Sequence, residues 1–374
     1  MHVVVVALSG RELASLEADS TWGRREICAR IPGLQGSLAR SARLVCGLAV
    51  LTGDNTLGDL GVDVATTVTL VLDAHHAFVV LAGSDDHTAK LWSVESGEEV
   101  LTLTGHDDHV TGVAMTPDGD VFVTVADNGI AMVWDGGTGV RSLSVRVADD
   151  LSGIDGVAIS RCRTHFATAS MAESAVSLWK SVSGERVRDW HHEEARRVGF
   201  SPTGRFVMSV AFDGVLKLWD IFSCDCLRTL DERRMVFDVA FALDGETMLL
   251  APFAAPVELY SVRDGDRLLA LDHGGATAVA VALSPCGDAA MTLTSDGVVR
   301  SWSMMTGECR FALEPDANAR SVCYATCGRE RVIAIGTRIG GLKFRCLDTG
   351  RLLREVRGHA DAIRSLVGVT SGAL

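Results

Sequence analysis

Proline is scarce in this sequence, seven in 374 residues, and no stretch approaches the roughly 18 consecutive apolar residues that a membrane-spanning helix needs. The apolar run at the start, Val3 to Leu8, is too short for the hydrophobic centre of a secretory signal and has no basic flank. These absences predict a cytoplasmic or nuclear protein without membrane contact. Cations are in deficit as well: 35 Lys and Arg against 48 Asp and Glu leave a net charge of −13. A phosphate-tracking surface needs clustered Lys and Arg to displace counterions, so nucleic acid is not an expected partner. The cysteines at 28, 46, 162, 224, 226, 286, 309, 323, 327 and 346 lack the C-x2-C pairs and matching histidines of a zinc module. Most read as buried small hydrophobes in a reducing compartment, with Cys224-x-Cys226 set apart as a weak redox or metal candidate. Missing too are a glycine-rich phosphate loop followed by Lys, an H-E-x-x-H helix and paired carboxylates at a defined spacing. The expectation is a chain that is not an enzyme and carries neither cofactor nor metal.

What the chain does have is glycine, 38 residues, and short Val/Ala/Leu runs punctuated by Asp-Gly, Thr-Gly and Cys-Gly pairs. That pattern predicts many short strands joined by tight turns. From residue 75 onward one unit recurs, each copy ending in a strand with a large aromatic residue. The markers are Trp92, Trp134, Trp179, Trp219, Tyr260, Trp302 and Phe344, separated by 42, 45, 40, 41, 42 and 42 residues. Turns such as Thr116-Pro117-Asp118-Gly119 and Ser201-Pro202-Thr203-Gly204 repeat in register, and Gly105-His106 and Gly358-His359 fall at repeat junctions.

These residues resemble the WD-repeat family, whose unit of roughly 40–45 residues folds as a four-stranded propeller blade. The resemblance implies a mainly-β, seven-bladed propeller over residues 77–374. Trp92 follows only one evident strand, so the strand at 362–369 is expected to close the ring as the innermost strand of the first blade. The family also implies a buried hydrogen-bond network linking a junction His, a second-strand hydroxyl, a turn Asp and the Trp indole. Here it would comprise His359, Ser84, Asp86 and Trp92 in the first blade, and His106, Thr124, Asn128 and Trp134 in the second. A Ser, His and Asp meeting in space invite a hydrolase reading, but catalysis needs an exposed nucleophile and a pocket. The network is therefore read as structural. The fifth and seventh repeats have Ala254 and Arg338 at the turn Asp position, with Tyr260 and Phe344 for Trp, and should be held by packing alone.

Residues 1–73 run in the order hairpin (Met1 to Leu8, Glu12 to Glu17), helix (around Glu26 to Ile31, ended by Pro32-Gly33), strand from Arg43 and closing strand from Thr67. That order resembles the small α+β ubiquitin-like β-grasp fold. The resemblance implies a receptor-docking patch at Leu8, Val45 and Val71, although Val45 and Val71 serve equally well as plain sheet residues.

Three functions follow as alternatives. In the first, the protein is a non-catalytic, monomeric scaffold binding proteins or peptides on one propeller face, through His109, Arg196, Phe237, Arg320 and Arg364 at the innermost strands and Phe212 and Phe253 in turns. Aromatic residues and Arg are the commonest hot-spot types. In the second, it is a ubiquitin–proteasome adaptor whose Leu8, Val45 and Val71 dock a ubiquitin receptor or the proteasome. In the third, it is an enzyme using the propeller channel, for which Trp190-His191-His192-Glu193-Glu194 is the one metal-like cluster, read by default as a solvated loop.

Overall fold

The computed structural model describes the strands within residues 2–72 and then residues 79–368, apart from 149–152, 155, 202, 232–233, 243–244, 263, 285–286 and 328–329. Contacts divide the chain into two compact units, Met1–His76 with Asp135–Val140 and Ala77–Trp134 with Arg141–Leu374. All elements among the described residues are strands. None is a helix long and apolar enough to cross a membrane.

The N-terminal strands are β1 (His2–Ala7), β2 (Glu12–Glu17), β3 (Ala42–Cys46), β4 (Ala49–Leu51) and β5 (Thr66–Leu72). They form one sheet in the order β2-β1-β5-β3-β4. β1 pairs antiparallel with β2 and parallel with β5, while β5 pairs antiparallel with β3. The helix expected around Glu26 to Ile31 lies outside the described residues.

The second unit consists of seven four-stranded antiparallel sheets. Blade 2 shows the plan, with Val110–Met115 innermost, then Val121–Ala126, Ile130–Asp135 and, at the rim, Arg141–Arg146. Burial explains the sequence pattern. Second strands are covered on both faces and read as continuous apolar runs, Val79–Ser84 and Ala289–Thr294 being buried throughout. Rim strands such as Arg141–Arg146 expose charged residues. Each outer hairpin turns tightly. In blade 1 the Gly97 N–H donates to the Ser93 carbonyl at 2.8 Å with φ 71°, a left-handed conformation that glycine adopts without steric penalty.

Blade 1 draws its innermost strand, Ile363–Gly368, from the end of the sequence. That strand pairs antiparallel with Val79–Ser84, and Ile363 lies opposite Ser84. It also touches the innermost strands of blades 7 and 2, so the ring is closed through it. The seam is apolar. Val80, Ala82, Trp92 and Ile363 of blade 1 form one buried cluster with Cys323, Ala325, Val332, Ala334, Leu342 and Phe344 of blade 7. A lone blade has two apolar faces, and stacking each against its neighbours is what buries them.

Candidate functional site

In a four-stranded meander, the connection from the rim strand to the next blade and the turn between second and third strands emerge on the same side. This side, called the top face here, gathers the junction histidines, the second turns and the first residues of the innermost strands.

Beneath the top face lie polar relays. In blade 2 the Trp134 indole N–H donates to Thr124 Oγ1 at 2.9 Å, and Thr124 Oγ1 lies 2.6 Å from His106 Nε2. Blade 4 repeats this with Trp219, Ser209 Oγ (2.8 Å) and His192 Nδ1 (2.7 Å). Blade 6 does so with Trp302, Thr292 Oγ1 (2.9 Å) and His273 Nε2 (2.8 Å). The hydroxyl accepts from the indole, which can only donate, and its own O–H is placed to donate a hydrogen bond to a neutral imidazole nitrogen. Burial, reinforced by the nearby Arg141, Lys217 and Arg300 respectively, pushes His106, His192 and His273 down to about 4. All three relays are therefore neutral at physiological pH.

Blade 1 departs from the expected network. His359 Nδ1 lies 2.9 Å from Asp86 Oδ2, which also accepts the Ala360 N–H, and Thr88 Oγ1 donates to Asp86 Oδ1. Ser84, however, is not the link between imidazole and indole, because its hydroxyl donates to the Asp361 carbonyl at 3.1 Å. The relay hydroxyl stands ten residues before the tryptophan in blades 2, 4 and 6, and Ala82 occupies that position in blade 1. Trp92 Nε1 and His359 Nε2 consequently lack hydrogen-bond partners among the described residues. Burial would raise the Asp86 carboxyl, but hydrogen bonds from Thr88 and Ala360 and the His359 ring hold it below the usual carboxylate value. His359 itself is pushed down by burial against the opposing pull of Asp86. Asn128 of blade 2 also stands apart, its Oδ1 accepting the Ile130 N–H within its own turn.

The fifth repeat is not held by packing alone. Glu258, almost fully buried, accepts from the Tyr260 hydroxyl at 2.9 Å and from Arg267 Nη1 at 2.9 Å. In the seventh, Phe344 is fully buried in the seam cluster. In the third, Trp179 donates to Thr168 Oγ1 at 3.1 Å.

The seven expected top-face residues assemble as two groups. Over blades 4 and 5, Phe212, Phe237 and Phe253 form a chain of ring contacts, with centroids 6.2 and 5.9 Å apart, and the Arg196 guanidinium lies 5.6 Å from the Phe212 ring. Backbone hydrogen bonds tie the loops beneath: Val236 N–H to the Phe212 carbonyl and Phe253 N–H to the Met235 carbonyl. Phe253 is 48% exposed and Met235 37%. Near blades 1, 2 and 7, Asp85 gathers the cations. Arg364 pairs with Asp85 and, at 3.2 Å, with Asp127; Arg320 approaches Asp85 at 3.8 Å; and His109 Nδ1 donates to the Asp85 carbonyl at 2.7 Å. Arg320 and Arg364 also line the central cavity, which measures about 210 Å³ and is walled by residues of all seven innermost strands. Within it Arg197 pairs with Asp238 at 2.9 Å.

Of the ubiquitin-like patch, Leu8 lies outside the described residues, and of Val45 and Val71 only the backbone is described, Val45 opposite Thr69 and Val71 opposite Arg43. Residues missed in the sequence are His192, Ser209, His273 and Thr292. A signal existed, because the relay histidines precede their tryptophans by 28, 27 and 29 residues. Within Trp190-His191-His192-Glu193-Glu194, His192 is buried in its relay while His191 is exposed.

The geometry agrees with comparison to known proteins. The model of the WD domain, G-beta repeat, matches residues 97–135 and 184–220. The chain carries WD40 repeats and folds as a seven-bladed β-propeller. It is similar to nuclear distribution protein PAC1 of Coccidioides posadasii (strain C735), 24% identical over 41% of this chain and 37% of that one. It is also similar to pre-mRNA-processing factor 19 homolog 2 of Arabidopsis thaliana, 23% identical over 62% of this chain and 37% of that one. Telomerase protein component 1 of Rattus norvegicus is 22% identical over 84% of this chain, but only 12% of that protein. The chain thus spans well under half the length of these curated relatives. Among solved structures, the computationally designed Ika8 protein shares the fold, with TM-score 0.59 and 23% identity over 77% of this chain and 86% of that one.

Proposed function

We propose that this protein is a non-catalytic scaffold whose propeller binds protein or peptide partners on its top face, with Phe212, Phe237, Phe253 and Arg196 as the main anchor. The observation that carries this reading is the contiguous aromatic chain across blades 4 and 5, partly exposed and bordered by Met235 and Arg196. Desolvated aromatic anchors flanked by Arg are the usual energetic centre of an interface. The relay hydroxyls of Thr124, Ser209 and Thr292 are buried, each held between an indole and an imidazole. No substrate reaches them, which supports a structural role over a catalytic one. The net charge of −13 favours protein over nucleic acid as partner. Similarity to a nuclear distribution protein and to a pre-mRNA-processing factor supports a nuclear or cytoplasmic site of action.

The test is quantitative affinity capture with the full chain and two variants. Phe253→Asp combined with Arg196→Glu should lose partners that Val182→Asp, on an exposed rim turn away from this face, retains. Equal capture by both variants refutes the assignment.

A second reading, the ubiquitin–proteasome adaptor, is supported by the N-terminal sheet order β2-β1-β5-β3-β4 with its parallel β1–β5 pair. We propose it for the N-terminal unit alone. If Leu8→Asp and Val45→Asp leave binding to proteasome or ubiquitin receptors unchanged, that reading fails.

A further inference from the structure

Beside the channel mouth, His87, Asp108 and His109 each offer a ligand atom, and the three atoms lie within 4.8 Å of one another. We propose that these residues form a binding site for a first-row divalent cation such as Zn2+, joining the second turn of blade 1 to the junction that leads into blade 2.

Four features of the geometry support the site. The first is the donor set, two imidazoles and a carboxylate, which suits a borderline ion rather than Mg2+ or Ca2+. Ligands of a tetrahedral Zn2+ stand about 3.3 Å apart, given metal–nitrogen bonds of about 2.0–2.1 Å. His87 is exposed, so rotation of its side chain can close the remaining gap. The second feature is that one imidazole is already oriented. His109 Nδ1 donates to the Asp85 carbonyl at 2.7 Å, with the Asp85 carboxylate 3.9 Å away. That bond fixes the proton on Nδ1 and leaves the Nε2 lone pair for a metal, the arrangement in which a ligating histidine is held by its other nitrogen. The neighbouring cation Arg364 is itself paired with Asp85 and Asp127.

The third feature is that Asp108 is half committed: its Oδ1 accepts the His109 N–H at 2.8 Å, so Oδ2 is the atom to offer. The fourth is the backbone of His87, with φ 66°. Equivalent turns at positive φ carry Gly129, Gly214 and Gly297, or the small residues Ser174 and Ala254. A histidine is the bulkiest occupant of this turn, in a conformation that disfavours a side chain. The conformation brings its ring edge-on to His109, centroids 5.1 Å apart. Three protein ligands leave a coordination position open to water or to an incoming side chain.

The experiment is calorimetric titration of the metal-stripped full chain with ZnCl2, together with the visible absorption spectrum after CoCl2 addition. His87→Gly is the informative variant, since glycine is what this turn carries in blades 2, 4 and 6 and folding is therefore preserved. The expected result is one equivalent of Zn2+ bound to the natural protein and a four-coordinate Co2+ spectrum. Both should be lost in His87→Gly and in His109→Gln, and kept in His191→Gln. A thermal midpoint of His87→Gly at or above that of the metal-free natural protein shows that the loss is not unfolding. No binding to the natural protein, undiminished binding to His87→Gly, or loss on His191→Gln instead overturns the proposal.

Discussion

Acidification should destabilise this propeller well before its carboxylates protonate, and the relay histidines set the size of the effect. His106, His192 and His273 are held neutral by burial, with folded values of about 4 against roughly 6.5 in an unfolded chain. A folded value below the unfolded one means that the unfolded chain binds more protons between these limits. The contribution is complete above pH 6.5 and falls away as the pH drops toward 4. Going from pH 8 to pH 5.5 removes about 1.4 kcal/mol per histidine, hence about 4 kcal/mol for three independent relays. Carboxylates such as Asp86, Asp118 and Asp296 are held below their ordinary value, so they stay ionised throughout this window and do not contribute to the loss. Urea unfolding followed by tryptophan fluorescence at pH 8, 6.5 and 5.5 reads the effect directly. A variant carrying His106→Gln, His192→Gln and His273→Gln should be less stable at pH 8 but lose far less on acidification. His165 and His359, also pushed down by burial, leave a residual slope in both proteins. A natural protein equally stable at pH 8 and 5.5, or a triple variant with undiminished slope, would refute the reasoning.

Two further outcomes test the seam. Ala82→Ser places a hydroxyl at the relay position of blade 1, where Trp92 Nε1 and His359 Nε2 now lack partners, and should raise unfolding free energy by about 1 kcal/mol in chemical denaturation. Gly358→Ala should lower it by about 1–3 kcal/mol, because the added Cβ would sit 1.9 Å from Trp92 Cη2. An unchanged denaturation midpoint in that variant would show that the junction gives way.

The blade number was legible because each aromatic marker closes a strand whose neighbours must be buried on both faces, and that demand repeats at nearly constant spacing. Relay chemistry was less legible. The eye takes the nearest hydroxyl, Ser84, whereas the structure counts ten residues back from the tryptophan and finds Ala82. His192 was hidden by its charged neighbours and His273 by the absence of a preceding glycine, although both keep the junction-to-tryptophan spacing. The Glu258–Arg267–Tyr260 cluster carries no motif, since a buried carboxylate is recognised only once its partners close around it. Equally silent was the proximity of His87 to Asp108 and His109, 21 and 22 residues further on. The aromatic group was readable as a set of turn and strand-entry positions, but not its contiguity, which depends on loops hydrogen-bonding across blades.

Relays and turn chemistry are partitioned among the blades in a way that bears on function. Blades 2, 4 and 6 carry complete relays, and their second turns place Gly129, Gly214 and Gly297 at positive φ. Blades 1, 3 and 5 lack a complete relay and hold His87, Ser174 and Ala254 at positive φ instead. Each such residue costs roughly 1–2 kcal/mol relative to glycine. Blades 2, 4 and 6 therefore combine unstrained turns with an indole–hydroxyl–imidazole relay, whereas blades 1, 3 and 5 spend conformational energy on side chains at the top face; blade 7, with Phe344 for Trp and no relay, keeps Gly340 at positive φ. Such a division lets a rigid frame support surface positions free to vary, and His87 beside Asp108 and His109 is where that freedom has produced a constellation with chemistry of its own.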